Sequence, residues 1–352
     1  MCVTESAEYV RELEEVLAEL DLSALRGRTV MVTGAAGMLG SCVVDLLRQY
    51  GRCRVIAVGR DAASGEARFG PATPSCVFLG HDVCRPMPET GETADYIIHA
   101  ASNADPVRMS QDPVGTLLSN VQGTKNLLDY GLTHGMKRFL FVSSGEVYGQ
   151  PEDSMEGFPE EYCGPLDLFS PRSCYPSGKR AAEVLCQSYV RQHATDAVIV
   201  RPCHLFGPTM TARDSRAVSE FLRSAANGQD IVMKSAGQLE RSHCYIVDAV
   251  RALFLVLLRG ECGRAYNIAD RRYQMRICDF AQRAARAGGS QVIWEAPSEV
   301  ERSGYARTSR AVLDPSRLEA LGWRGLNDHA IEKTVAILRE GEGRCAACCQ
   351  SS

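Results

Sequence analysis

Thr33-Gly34-Ala35-Ala36-Gly37-Met38-Leu39-Gly40 follows directly on the short strand-like run Arg28 to Val32. It leads into Ser41-Cys42-Val43-Val44-Asp45-Leu46-Leu47, which has helical periodicity. Few features restrict a chain as much. Strand, glycine turn and helix in that order open a βαβ unit, in which glycines permit a tight turn and let backbone approach a pyrophosphate at the helix N-terminus. The spacing is G-x-x-G-x-x-G, one residue looser than the usual fingerprint. Gly34, Gly37 and Gly40, with Met38 and Leu39 between them, are the first cofactor-binding candidates.

The second strand, Cys53 to Val58, ends in Gly59-Arg60-Asp61. An acidic residue there favours the ribose hydroxyls of NAD, and an arginine accommodates the 2′-phosphate of NADP. Both types are present, so the residues alone leave NAD and NADP open, with Arg60 the candidate for a 2′-phosphate. A third strand closes at Phe78-Leu79-Gly80-His81-Asp82-Val83, where Asp82, beside Val83, is placed to touch the adenine edge.

Tyr175 and Lys179 lie four residues apart in Ser173-Cys174-Tyr175-Pro176-Ser177-Gly178-Lys179, a spacing that puts both on one face of a helix. An ordinary tyrosine has a pKa of about 10 and is a poor base at neutral pH. A nearby ammonium favours the phenolate, so Lys179, together with the positive nicotinamide ring of an oxidised cofactor, is expected to lower the pKa of Tyr175. Such a pair is common on solvated helices; the glycine turn upstream gives it meaning.

From Arg28 to about Ala197 strands and helices alternate, which predicts an α/β fold with a doubly wound parallel sheet of the Rossmann type. Ala197 to Val200 is the next central strand, and Arg201-Pro202 leads away from it. The chain divides into an N-terminal amphipathic helix (1–27), a dinucleotide-binding domain (28–203, with 244–270 returning to the sheet), a smaller discontinuous C-terminal substrate lobe (204–243 and 271–338) and a disordered tail (339–352). Val10, Leu13, Val16, Leu17 and Leu20 form one stripe of the first helix, expected to pack on the sheet edge. Pro151 to Pro171 is expected to be an exposed loop over the active site. Ligand is expected in the crevice at the carboxyl ends of the strands.

Further stretches complete the pattern: Ile98-His99-Ala100-Ala101, the run Asn120 to Leu128, Val142-Ser143-Ser144-Gly145-Glu146-Val147-Tyr148-Gly149, and Arg201-Pro202-Cys203-His204-Leu205-Phe206-Gly207-Pro208. With these in order, the chain from about Arg28 to Gly322 resembles the extended short-chain dehydrogenases/reductases, in their nucleotide-sugar epimerase/dehydratase branch. The resemblance implies tightly bound NAD, with NADP not excluded, touched also by Ala100 and Ala101, and a nucleotide sugar that is oxidised at C4, transformed as the ketone and reduced again. It makes Ser144 the partner of the sugar hydroxyl, Tyr175 the general base and Lys179 the residue holding the nicotinamide ribose.

Dehydratases of this branch place an aspartate and a glutamate after the serine. Gly145 stands at the aspartate position, which disfavours dehydration, whereas Glu146 is retained as a catalytic candidate. Arg172 to Arg180 and the run from Ala100 to Asn120 are similar to UDP-glucuronate decarboxylases. The chain departs from them at Gly145, where they carry a hydroxyl residue, at Asn103-Ala104-Asp105-Pro106, and at His204, where they carry asparagine. Decarboxylation of a UDP-hexuronic acid is the first expectation; 4-epimerisation and NADPH-dependent 4-ketoreduction are the alternatives. Arg241 resembles the family's phosphate-side arginine, Arg307 and Arg310 fall near its carboxylate arginine, and His204 is a further substrate-binding candidate. The resemblance also implies a homodimer.

A net charge of −4 with both signs interspersed offers no basic surface for nucleic acid. Apolar stretches such as Ala252 to Leu258 are too short to span a membrane, and no signal peptide is apparent. The 15 cysteines fall mostly inside predicted elements (Cys42, Cys53, Cys76, Cys186, Cys203), as in a cytoplasmic enzyme with buried free thiols. Cys345-Ala346-Ala347-Cys348-Cys349 has C-x-x-C spacing without a second pair to complete a zinc set, so no metal is expected.

Overall fold

A computed structural model describes residues 3–88, 91–152, 155–296 and 310–350, and the side chains of all of these except Arg108 and 342–350. Strands β1 (Thr29–Thr33), β2 (Arg54–Gly59), β3 (Cys76–Gly80), β4 (Tyr96–His99), β5 (Arg138–Val142), β6 (Ala197–Pro202) and β10 (Ala265–Ile268) form one sheet. All seven run parallel in the order β10-β6-β5-β4-β1-β2-β3. The doubly wound Rossmann sheet predicted from the alternating pattern is therefore present. The chain moves outward from β1 to β3 and then returns to β4 on the other side of β1, so the strand order switches between β1 and β4. In open α/β sheets that switch point is where ligands bind.

Strand β1 shows how sequence builds the layers. Successive side chains of a strand face opposite sides of the sheet. Val30 and Val32 pack into a core with helices α1 (Ala7–Glu19), α2 (Met38–Tyr50) and α8 (Ile246–Arg259). Met31 faces the other core, with Leu127 and Leu128 of α5 (Pro113–Thr133) and Ala182 and Cys186 of α6 (Cys174–His193). With both faces covered, β1 reads as an unbroken apolar run.

The remaining strands lie outside the main sheet. β7 (His204–Phe206), β9 (Glu240–Tyr245), β11 (Asp270–Arg276) and β13 (Arg310–Ala311) form a second sheet, and β8 (Ile231–Met233) pairs with β12 (Val292–Trp294). Helices α7 (Ala217–Ala226) and α9 (Ile277–Gly288) pack together beside them, with the last helix, Ala330–Gln350, against both.

Three local expectations differ from the structure. The first helix packs on α2 and α8 rather than on the sheet edge. Its acids explain why: Glu12 is buried, accepting hydrogen bonds from the Tyr245 hydroxyl (2.5 Å) and Lys333 Nζ (3.1 Å), and Tyr9 donates to Asp45 of α2 (3.0 Å). The boundary drawn at 339 falls inside the last helix, where Arg339 donates to the carbonyls of Ala225, Ala226 and Gly288. Finally, much of the stretch from Pro151 to Pro171 is pinned rather than free. Phe158 is buried and exchanges backbone bonds with Val312 and Asp314, Arg201 reaches the Glu160 carbonyl, and Arg180 the Gly164 carbonyl. The tip at Leu168 and Phe169 is exposed. Among the described residues, no helix is long and apolar enough to cross a membrane.

Candidate active site

The glycine turn sits at the switch point. Gly34 has φ of 68°, and a Cβ there would lie 2.7 Å from the Ala100 carbonyl oxygen and 2.8 Å from Ala101 Cα, so the ends of β1 and β4 meet backbone to backbone. A Cβ on Gly40 would lie 2.2 Å from the Gly34 carbonyl oxygen, whereas one on Gly37 would meet only that oxygen, at 3.1 Å. Gly40 is thus required by the packing of helix on turn, before any ligand is considered. Gly37 begins α2 as its N-cap and supplies no side-chain cap. The first amides of α2 therefore have no side-chain acceptor from the cap, and a pyrophosphate matches that need in charge and geometry. Met38 and Leu39 follow in the first turn.

Candidates along the adenosine side are placed less uniformly. Arg60 is exposed at the end of β2, and Asp61 is committed to capping α3 (Ala62–Phe69), accepting from the Ala63 amide at 3.1 Å. Asp82 accepts from the Cys84 amide at 3.0 Å, and Val83 is buried under α5 with its carbonyl bonded to Asn126.

Ser144 lies two residues past β5 as the N-cap of a short 3-10 turn and accepts from the Glu146 amide at 3.2 Å. Tyr175 and Lys179 lie in the first turns of α6, with only 6% and 2% of their surfaces exposed. Lys179 Nζ donates to the Val142 carbonyl at 2.7 Å and stands 4.8 Å from the Phe141 ring centroid and 5.8 Å from that of Tyr175. Burial pulls the Lys179 ammonium down to about 7, with Glu183 opposing. Burial also pushes the Tyr175 phenol up, and the charge of Glu146 adds to this; the Ser144 hydroxyl and the Arg216 guanidinium pull the other way. Lys179 is not among the groups that shift Tyr175. The lysine is itself desolvated and bonded to backbone, and Arg216 is the cation that favours the phenolate.

Arg216 is a residue the sequence reading missed. It stands at the N-cap position of α7, makes a bidentate ion pair with Asp214, and reaches Met38 Sδ at 3.2 Å, while Thr209 donates to the Met38 carbonyl at 2.9 Å. The segment after β7 thus touches the first turn of α2. Arg172, just before α6, faces Glu146 at 3.8 Å. No spacing pattern marks Arg216, and Arg172 was visible only as part of the stretch leading to Tyr175.

His204 and Arg241 are brought together: Arg241 Nη1 donates to His204 Nε2 at 2.5 Å. Arg310 is not part of this group. It pairs in register with Glu240, the residue before Arg241, and its guanidinium lies 3.3 Å from the Glu240 carboxylate, on the opposite face from Arg241. Arg307 lies outside the described residues.

A glycine turn at a topological switch point, with a buried tyrosine and lysine on the helix that follows β5, defines a Rossmann-type enzyme that handles a dinucleotide. The model of the NAD dependent epimerase/dehydratase family matches residues 30–269, and the chain belongs to that family, as an NAD-dependent enzyme of the extended short-chain dehydrogenase/reductase type. It is 34% identical to UDP-glucuronic acid decarboxylase 6 of Arabidopsis thaliana over 243 residues, covering 68% of this chain and 69% of that protein. It is 31% identical to UDP-glucuronic acid decarboxylase 1 of Xenopus tropicalis over 272 residues, 76% of this chain and 62% of that one. Among solved structures, UDP-glucose 4-epimerase of Thermotoga maritima superposes with a TM-score of 0.75 at 21% identity, over 89% of this chain and 99% of that one. A dTDP-glucose 4,6-dehydratase of Streptomyces venezuelae gives 0.74 at 24% identity, over 90% and 98%. These two structures share the fold.

Proposed function

We propose that the protein is a UDP-hexuronate decarboxylase working through a 4-keto sugar. The observation that carries this reading is the grouping of Ser144, Glu146, Tyr175 and Arg172 at the carboxyl end of β5, with Gly145 where a dehydratase needs its acid. The names of the relatives at 31–34% identity support it.

NAD, when bound, supplies the chemistry of accepting a hydride from C4 and returning it. Gly34, Gly37, Met38, Leu39 and Gly40 would hold its pyrophosphate, Arg60, Asp82 and Val83 its adenosine side, and Ala100, Ala101, Tyr175 and Lys179 its nicotinamide side. Ser144 hydrogen-bonds the C4 hydroxyl, and Tyr175 takes its proton as general base. In the resulting β-keto acid the C5–C6 bond breaks, carbon dioxide leaves, and the electron pair moves into the enolate at O4, where the Tyr175 hydroxyl donates. Glu146 faces this centre and governs the proton returned to C5. Arg241 and His204 hold the acidic part of the substrate.

The same reading includes a homodimer, supported by the exposed apolar side chains Val107, Val114, Leu117, Leu118 and Val184, carried by α4 (Pro106–Gln111), α5 and α6. Sedimentation of the purified protein checks it; a monomer at micromolar concentration contradicts it. Free thiols at the eleven cysteines whose side chains are described fit a cytoplasmic enzyme, which cell fractionation checks. For the cofactor, mass spectrometry of small molecules released from denatured protein should show NAD. Release of NADP alone would overturn that part of the reading.

A further inference from the structure

His204 is surrounded by guanidiniums from three separate elements. Arg241 comes from β9, Arg216 from the start of α7, and Arg172 from the turn before α6; each opposes a proton on the His204 ring, on top of the cost of burial, as does the neighbouring ring of His243. His243 is neutral for the same reasons, held down to about 4, with its Nδ1 bonded to the Tyr273 carbonyl at 3.1 Å. Two of the guanidiniums have acidic partners, Arg216 in Asp214 and Arg172 in Glu146. Arg241 has no carboxylate within ion-pair distance among the described residues, and its Nε is buried without a hydrogen-bond partner. A buried guanidinium left in that state is costly, and an anion placed there removes the cost.

The bond between the two residues decides which proton His204 carries. A guanidinium has only donors, so His204 Nε2 must accept from Arg241 Nη1. A neutral imidazole that accepts at Nε2 carries its proton on Nδ1. The ring is thereby fixed as a donor on its remaining nitrogen, and the surrounding cations keep it neutral.

We infer that His204 is a substrate-positioning residue locked by Arg241 as the Nδ1–H tautomer, donating as a neutral imidazole to an oxyanion of the substrate that Arg241 also binds. The inference rests on the nucleotide-sugar reading above. It accounts for a histidine at a position where the resembling family carries asparagine: the Nδ1–H takes the place of an amide N–H, and Arg241 supplies the orientation an amide has by itself. The oxyanion is either the nucleotide's diphosphate or the sugar's carboxylate.

Two measurements on the full chain test it. In ligand-free protein labelled with ¹⁵N-histidine, with the His204 signals identified by their loss in His204→Phe, two-bond proton–nitrogen spectra should show the Nδ1–H tautomer and no protonation from pH 8 down to 5.5. An Nε2–H tautomer, or titration near 6.5, would overturn the inference whatever the substrate is. In calorimetric titrations with UDP, UDP-glucose and UDP-glucuronate, His204→Phe should weaken binding at least tenfold, and His204→Asn should recover most of that loss. Equal loss for all three ligands identifies the diphosphate; loss confined to UDP-glucuronate identifies the carboxylate. Unchanged binding in His204→Phe sinks the donor role. If wild type binds none of the three, the nucleotide-sugar reading fails with it, even where the tautomer is as stated.

Discussion

The glycine turn and the arginine–histidine group, joined where Arg216 reaches Met38, are built in opposite ways. In the turn, function is made by removing side chains. Gly34, Gly37 and Gly40 bring β1, β4 and α2 together so closely that a Cβ at Gly40 would lie 2.2 Å from backbone. In the crevice, function is made by gathering long side chains from distant segments, namely Arg172, His204, Arg216 and Arg241 around Glu146 and Tyr175. The first is a steric device with no tolerance for added volume. The second is an electrostatic one whose members adjust to one another, so single changes there should alter binding and rate before they alter the fold.

The largest effect should follow Gly40→Ala. Its Cβ meets backbone that cannot move without displacing β1, so stability should fall by about 1–3 kcal/mol and dinucleotide retention should be lost. Thermal unfolding with assay of released cofactor checks this; a Gly40→Ala protein that keeps both would break the comparison. Tyr175→Phe belongs to the crevice and should do the reverse, keeping fold and cofactor while losing roughly 10²–10⁴-fold in turnover. Near wild-type turnover would remove Tyr175 from the chemistry.

The smallest effect separates neither region, because each rests on a buried neutral imidazole. His99 lies beneath the turn, in contact with Thr33 at 2.8 Å and held down to about 3; His243 lies beside the crevice, held down to about 4. Unfolded histidines protonate near about 6.5, so below that the unfolded chain binds more protons, and stability is lost as pH falls. The share should be on the order of 2 kcal/mol per histidine between pH 6.5 and 5. Urea titrations at both pH values should show His243→Asn losing less than wild type on acidification; an equal loss would mean that His243 already titrates normally.

How much of this was legible in the sequence follows the same division. The turn and the parallel sheet could be read because their residues are contiguous and their periodicities local. Tyr175 and Lys179 could be paired because four residues make one helical turn. The crevice could not be read as a unit: Arg172, Arg216 and Arg241 share no period, and only the return of the chain through β7, α7 and β9 places them around His204. The strength of the Lys179 influence on Tyr175 was not legible for a related reason. Spacing fixes the face of a helix, whereas the pKa depends on burial and on the Val142 carbonyl that claims the ammonium. Arg310 shows the limit of matching by position alone, since a shift of one residue along a strand turns a side chain to the other face.

The central claim is that this crevice removes the carboxyl carbon of an acidic sugar with no net change in the dinucleotide. Incubating the purified enzyme with UDP-glucuronate labelled with ¹³C at C6, and following the mixture by NMR, tests it most directly. The account predicts labelled carbon dioxide and an unlabelled UDP-pentose, with no accumulation of reduced cofactor. A labelled UDP-hexuronate epimer, or product formed only with stoichiometric NAD(P)H, would contradict it.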